Sequence, residues 1–288
     1  MPPGPMPPEQ LGLPGHDFEP IAPKRHPSRG MYVLPSLFTA GNIALGYYAI
    51  TQSVQGTPAD IAYFDHAALA IGFAVLCDGV DGRIARMTRT TSDFGKELDS
   101  LADVITFGVA PSLLAYIWGF RMLPATIHLA LRENVIHGGV LVCFLFLICG
   151  ASRLARFNIS INPQPRNPGR PGRKYFVGMP IPAGAGVLAA VIHFEGGSPV
   201  HNLWLSLVWL ALVAFVGFLM VSSWRFWSGK EIDTNTRKPG RLLVLLVVVI
   251  GIVVEWHQTA LLVLALGYLV SGVMARLAYS WNRRTHAV

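Results

Sequence analysis

Charge is scarce in this chain. Of its 288 residues only 14% are Asp, Glu, Lys or Arg, while 52% are hydrophobic, and mean hydropathy is +0.46. Soluble domains carry about 25% charged residues. This balance excludes intrinsic disorder, coiled coil and collagen for the body of the chain and leaves a polytopic membrane protein. Cysteine is scarce too. Cys77, Cys143 and Cys149 lie in apolar runs, and there is no Cys-x-x-Cys pair. That excludes a disulfide framework and offers no zinc site. No repeat of 20–50 residues is visible. Proline is unevenly spread, with nine in the first 27 residues beside Lys24, Arg25 and Arg29. Residues 1–30 therefore read as a disordered, Pro-rich cytoplasmic tail rather than a secretory leader.

What the chain has in quantity is long apolar runs. A spanning helix needs about 20 mostly apolar residues. Pro35–Val54, His66–Met87, Leu98–Trp118, His137–Phe157, Leu203–Ser222 and Thr259–Tyr279 qualify, and Val177–Phe194 and Leu242–Trp256 are weaker. Basic residues flank membrane helices on the cytoplasmic side. With eight spans, 21 of the 23 Lys and Arg residues fall on one side, and only Arg121 and Arg132 on the other. The expected fold is an all-α integral membrane protein, a polytopic bundle of about eight transmembrane helices. The membrane-embedded unit is residues 31–282, residues 283–288 are a tail, and both termini are cytoplasmic. The net charge of +7 thus reports topology and does not argue for nucleic acid. Trp118, Trp204, Trp224, Trp227, Trp256 and Trp281 form an interfacial belt. The histidines fall mostly at span ends without ligand spacing. Asn162–Lys174 is a basic Pro/Gly loop, either a topological anchor or a segment that contacts anionic lipid head groups or covers a cytoplasmic-facing site.

Carboxylates sit where apolar residues are expected. Asp78 and Asp81, three apart, share one face of the second span. Asp99 and Asp103, four apart, share one face of the third. The short polar segment Met87–Lys96 makes the spans antiparallel neighbours, so all four acids converge at the cytoplasmic end of one hairpin. A single Asp at a helix centre costs about 2.5–3.5 kcal/mol to insert. An all-oxygen cluster suits magnesium, manganese or calcium, and four carboxylates can hold two such ions, an arrangement that serves phosphoryl chemistry. Gly82 and Ala85 clear a slot beside Asp78 and Asp81, and Arg86 is placed to grip a phosphate. Gly95 opens the turn into the third span, where Ser92 adds a polar side chain.

The pattern Asp78-x2-Asp81-Gly82-x2-Ala85-Arg86-x8-Gly95-x3-Asp99-x3-Asp103 fixes eight residues across 26 positions. It resembles in full the signature of the CDP-alcohol phosphotransferases. The resemblance implies a membrane enzyme with a six-helix core, here with two further helices, usually homodimeric, that moves a phosphatidyl or related group from a CDP-linked donor to an alcohol and releases CMP. It implies that Asp78, Asp81 and Asp99 are ligands of Mg2+ or Mn2+, that Asp103 is both ligand and general base, and that Gly82 and Arg86 bind the nucleotide diphosphate.

Three further stretches resemble the membrane-spanning bacterial CDP-diacylglycerol–serine O-phosphatidyltransferases: Tyr32–Gly46, Gly150–Asn158 (GASRLARFN) and Tyr175–Gly186 (YFVGMPIPAGAG). Ser36 departs from that subgroup, where Asn commonly follows Leu-Pro. This resemblance implies CDP-diacylglycerol as donor, L-serine as acceptor and a bacterial inner-membrane location with a cytoplasmic-facing site. Arg153 and Arg156, three apart at the end of the fourth span, read as a clamp for the serine carboxylate or a lipid phosphate, or as positive-inside anchors. Asn42 could line the donor pocket or bond a neighbouring helix. Lys230 and Arg225 read as interfacial anchors. Glycerol 3-phosphate or an inositol phosphate as acceptor, and a cation-coupled transporter, stand as alternatives.

Overall fold

The computed structural model describes residues 30–88, 93–160, 175–228, 251 and 255–285. The side chains of residues 30–36, 81–88, 93 and 282–285 also lie outside the described set. The Pro-rich tail, Ser92, the basic Pro/Gly loop and most of Leu242–Trp256 are thus outside it.

The described chain is mostly helical. It runs α1 (Gly30–Gln55), α2 (Ala62–Thr88), then α3, an unbroken helix through Asp93–Asp103, Val104–Val109, Ala110–Tyr116 and Ile117–Arg121. There follow α4 (Leu129–Ile159), strand β1 (Tyr175–Val177), α5 (Ile181–Phe194), α6 (Leu203–Val221), strand β2 (Arg225–Trp227) and α7 (His257–Thr285). Five stretches among the described residues are long and apolar enough to cross a membrane: Ala62–Val80, Phe94–Arg121, Leu129–Ile159, Leu203–Val221 and His257–Trp281. Such helices are apolar on every face because lipid solvates what protein does not. α1 is as long, but Thr39, Asn42 and Ser53 dilute its apolar character, and all three are buried against the bundle.

The weaker run Val177–Phe194 is not one helix. Gly178 adopts φ +74° and Pro180 is extended at ψ 142°, so helix begins only at Ile181. The residues before it form β1, which pairs antiparallel with β2 (Tyr175↔Trp227, Phe176↔Phe226, Val177↔Arg225). Gly178 is needed twice over. Its φ disfavours any side chain, and a Cβ there would sit 2.4 Å from the Met220 carbonyl oxygen.

α1 packs on α2 and α3, α4 on α3 and α6, and α5 on α2 and α7. Phe64, Ile71, Phe107, Phe146, Ile181 and Leu188 fill the centre. α3 is underwound to π-helix at Val104–Val109 and Ile117–Arg121. Two side chains of α6 bond carbonyls around the second π segment: Trp209 Nε1 donates to Ala115 O (3.1 Å) and Ser206 Oγ to Gly119 O (2.8 Å). The first π segment begins directly after Asp103, as π-bulges often do beside functional groups.

Candidate active site

Asp78 lies in the last turn of the apolar stretch of α2, and Asp99 and Asp103 lie one turn apart on α3. Each offers one carboxylate oxygen to a group whose atoms lie within 4.8 Å of one another. Asp78 and Asp99 are half-buried, and Asp103 is only 8% exposed. Two negative charges about 5 Å apart repel by about 3 kcal/mol at an effective dielectric of 20. The fold therefore holds together groups that would separate if left to themselves, and the cluster is suited to a hard cation.

Two elements close around these acids. α1 is tied to α3 by Thr106 Oγ1, which donates to the Asn42 carbonyl oxygen (2.9 Å), one turn beyond Asp103. A Cβ on Gly46 would lie 2.9 Å from Thr106 Cα, so glycine allows this approach. The Asn42 side chain is 1% exposed, and neither its amide nitrogen nor its oxygen has a partner among the described residues. α4 joins from the other side, where Asn158 Nδ2 donates to Ser100 Oγ (2.8 Å). That bond sets the GASRLARFN stretch beside Asp99.

Arg153 and Arg156, paired in the sequence, part company in the structure. Arg156 donates to the carbonyls of Val221 (3.2 Å) and Met220 (3.5 Å), which are among the last, otherwise orphaned acceptors of α6. Arg153 is 7% exposed and lies over the rings of Phe157 (5.7 Å) and Phe176 (5.8 Å). It is within electrostatic reach of Asp103 and Tyr268.

A family model described as CDP-alcohol phosphatidyltransferase matches residues 32–197, which takes in the aspartates, Asn42, both arginines and β1. The chain belongs to that family. It is a membrane transferase of phospholipid synthesis. The family member named CDP-diacylglycerol–serine O-phosphatidyltransferase from Helicobacter pylori is 35% identical over 254 residues, covering 86% of this chain and 92% of its own length. Proteins of the same name from Bacillus subtilis (35% over 164 residues; 57% of this chain, 77% of that protein) and Saccharomyces cerevisiae (34% over 138 residues; 48% and 45%) are also similar.

Of the family signature, Asp78, Gly95, Asp99 and Asp103 are described in full. Asp81, Gly82, Ala85 and Arg86 continue α2, but their side chains lie outside the described residues, as does Ser92 altogether. Sequence reasoning missed Ser100, Phe176 and Tyr268, whose relation to the site depends on pairings across the fold. It also treated the histidines as unconnected. Near the start of α2, His193 Nδ1 bonds Asp65 Oδ1 (2.5 Å) and His193 Nε2 bonds His257 Nδ1 (2.7 Å). These partners are 128 and 64 residues apart in sequence, so no local spacing could reveal them.

Proposed function

We propose that this chain transfers the phosphatidyl group of CDP-diacylglycerol to the hydroxyl of L-serine, giving phosphatidylserine and CMP. The observation that carries the reading is the convergence of Asp78, Asp99 and Asp103 at the end of the α2–α3 hairpin. The names of the relatives supply donor and acceptor. The clustered carboxylates fit Mg2+ or Mn2+, two ions when Asp81 joins them. Such ions, when bound, supply positive charge to the phosphoryl oxygens.

The chain's own groups do the rest. Asp78, Asp81 and Asp99 hold the cationic centre. Gly82, Ala85, Arg86 and Ser92 receive the nucleotide diphosphate, and the Asn42 amide faces the donor. An alcohol is a weak nucleophile at neutral pH, so Asp103 takes the serine hydroxyl proton as the oxygen bonds to the phosphatidyl phosphorus. The bond from that phosphorus to the bridging oxygen breaks, and CMP leaves carrying that oxygen. Arg153 meets the serine carboxylate. Arg156, already serving two α6 carbonyls, fixes the end of α6 and adds positive field. Arg153 is the buried cation near the aspartates among the described residues. The single charge of Arg153 complements the singly charged serine carboxylate, which supports serine.

The same proposal includes an eight-span unit at residues 31–282 with a short tail at 283–288. Its termini and site face the cytoplasm at a bacterial inner membrane, and the protein is a homodimer. The charge partition supports the orientation.

The test is CMP release by purified protein given CDP-diacylglycerol with serine, glycerol 3-phosphate, inositol or inositol phosphate. Each is assayed with Mg2+, with Mn2+ and with EDTA. Metal-dependent release with serine alone is expected. Release only with another alcohol would overturn the acceptor, and no release from folded protein would overturn the reaction.

A further inference from the structure

A two-stranded ribbon of three residues per strand is marginal by itself, yet β1 and β2 are held firmly. Gly178 N donates to Trp224 O (2.8 Å) and Met179 N to Leu219 O (3.0 Å). Because Phe176 and Phe226 are directly opposed, their side chains share one face. Phe226 is fully buried and meets the Tyr268 ring at 5.7 Å. One turn further along α7, a Cβ on Gly272 would come within 2.2 Å of the Phe226 ring, so this notch admits only glycine. Tyr268 Oη donates to Trp227 O (3.2 Å), fastening α7 to the ribbon's edge. On the α4 side, Phe176 lies against the Arg153 guanidinium. Contacts therefore run from α7 through both strands to one buried cation.

We infer that the ribbon, through Phe176, and Tyr268 behind it are positioning residues that hold the Arg153 guanidinium for the carboxylate of the acceptor. A carboxylate in their place would satisfy Arg153 and neutralise it. Aromatic faces stabilise a dehydrated cation through their quadrupole while leaving its charge and N–H groups available. Arg153 Nε has no hydrogen-bond partner among the described residues. The ribbon thus sets acceptor selectivity without touching the acceptor. This inference rests on the reading that Arg153 receives the serine carboxylate.

The experiment measures CMP release by purified full-length protein. Serine is compared with ethanolamine, which keeps the amine and hydroxyl but lacks the carboxylate. The variants are Arg153→Ala, Phe176→Leu, Phe176→Tyr and Tyr268→Phe, each checked by thermal unfolding. Phe176→Leu and Tyr268→Phe are expected to raise KM for serine about fivefold to tenfold, the scale of one lost cation–π wall or of a guanidinium let loose. The KM for CDP-diacylglycerol and the rate with ethanolamine should stay within about twofold, and Phe176→Tyr should restore the serine KM. If Arg153→Ala leaves the serine KM unchanged, the carboxylate reading itself fails. If Arg153→Ala raises it but the ribbon variants do not, the positioning inference alone is overturned. Tyr268→Phe keeps ring and packing, so it decides the matter even if Phe176→Leu unfolds.

Discussion

At Asp65 and at Asp78, thirteen residues and about 20 Å apart along α2, the protein uses acidic groups in opposite ways. Asp65 begins a chain in which donors and acceptors alternate. His193 Nδ1–H donates to the Asp65 carboxylate, and a single proton serves the bond between His193 Nε2 and His257 Nδ1. The two imidazoles meet edge to edge, their planes 29° apart and their centroids 4.9 Å apart. Every link joins a different helix, so α2, α5 and α7 are fastened together, and His193 is only 2% exposed. At Asp78 the neighbours are Asp99 and Asp103, groups of the same sign brought within 4.8 Å. The first cluster is internally matched and holds helices. The second is a concentration of like charge that the helices hold together. Burial of polar groups alone therefore does not mark a site; the sign pattern within the cluster does.

That contrast can be broken most severely at Asp103. Asp103→Asn is expected to lower the rate of CMP formation about 10³-fold, within the range for loss of a general base. The melting temperature should change little, because relief of repulsion from Asp78 and Asp99 is offset by loss of attraction to Arg153. A rate within tenfold of the parent would remove Asp103 as the base. Chelation tests the same cluster from the ligand side. EDTA should abolish turnover and Mg2+ or Mn2+ should restore it, while a chelator-insensitive rate would sink the metal assignment. The matched chain should behave in reverse. Asp65→Ala, which orphans a buried imidazole N–H, should cost about 1–3 kcal/mol of stability and leave both substrate KM values unchanged; a selective loss of activity without destabilisation would contradict its structural role. The smallest effect is expected for Ser100→Ala. It removes one bond to Asn158 beside Asp99, for about 0.5–1 kcal/mol, read as a small shift in denaturation midpoint.

The hairpin and its aspartates were legible in sequence because helical spacing is local. Residues three or four apart share a face whatever surrounds them, so Asp99 and Asp103 could be paired on paper. The same rule paired Arg153 with Arg156, and there it stopped short. Two arginines near one face took different partners, one the α6 carbonyls and the other two aromatic rings, and those partners lie on other elements. Hydropathy located α2, α3, α4, α6 and α7 closely. It could not see that Gly178 and Pro180 delay α5 and divert the preceding residues into a ribbon, because apolar strand and apolar helix look alike over short runs. The π segments of α3 likewise leave no trace in composition.

The delayed start of α5 has a consequence for how the protein meets its surroundings. Fourteen residues rise about 21 Å, short of the roughly 30 Å hydrocarbon thickness. A lipid-facing helix of that length would force the bilayer to thin around it. α5 is instead enclosed along most of its length, with Ile181, Val187, Leu188 and Ile192 all buried among neighbours. Changes in bilayer thickness therefore act on the outer helices. α2, which carries Asp78, is packed against an inner post that the lipid does not stretch.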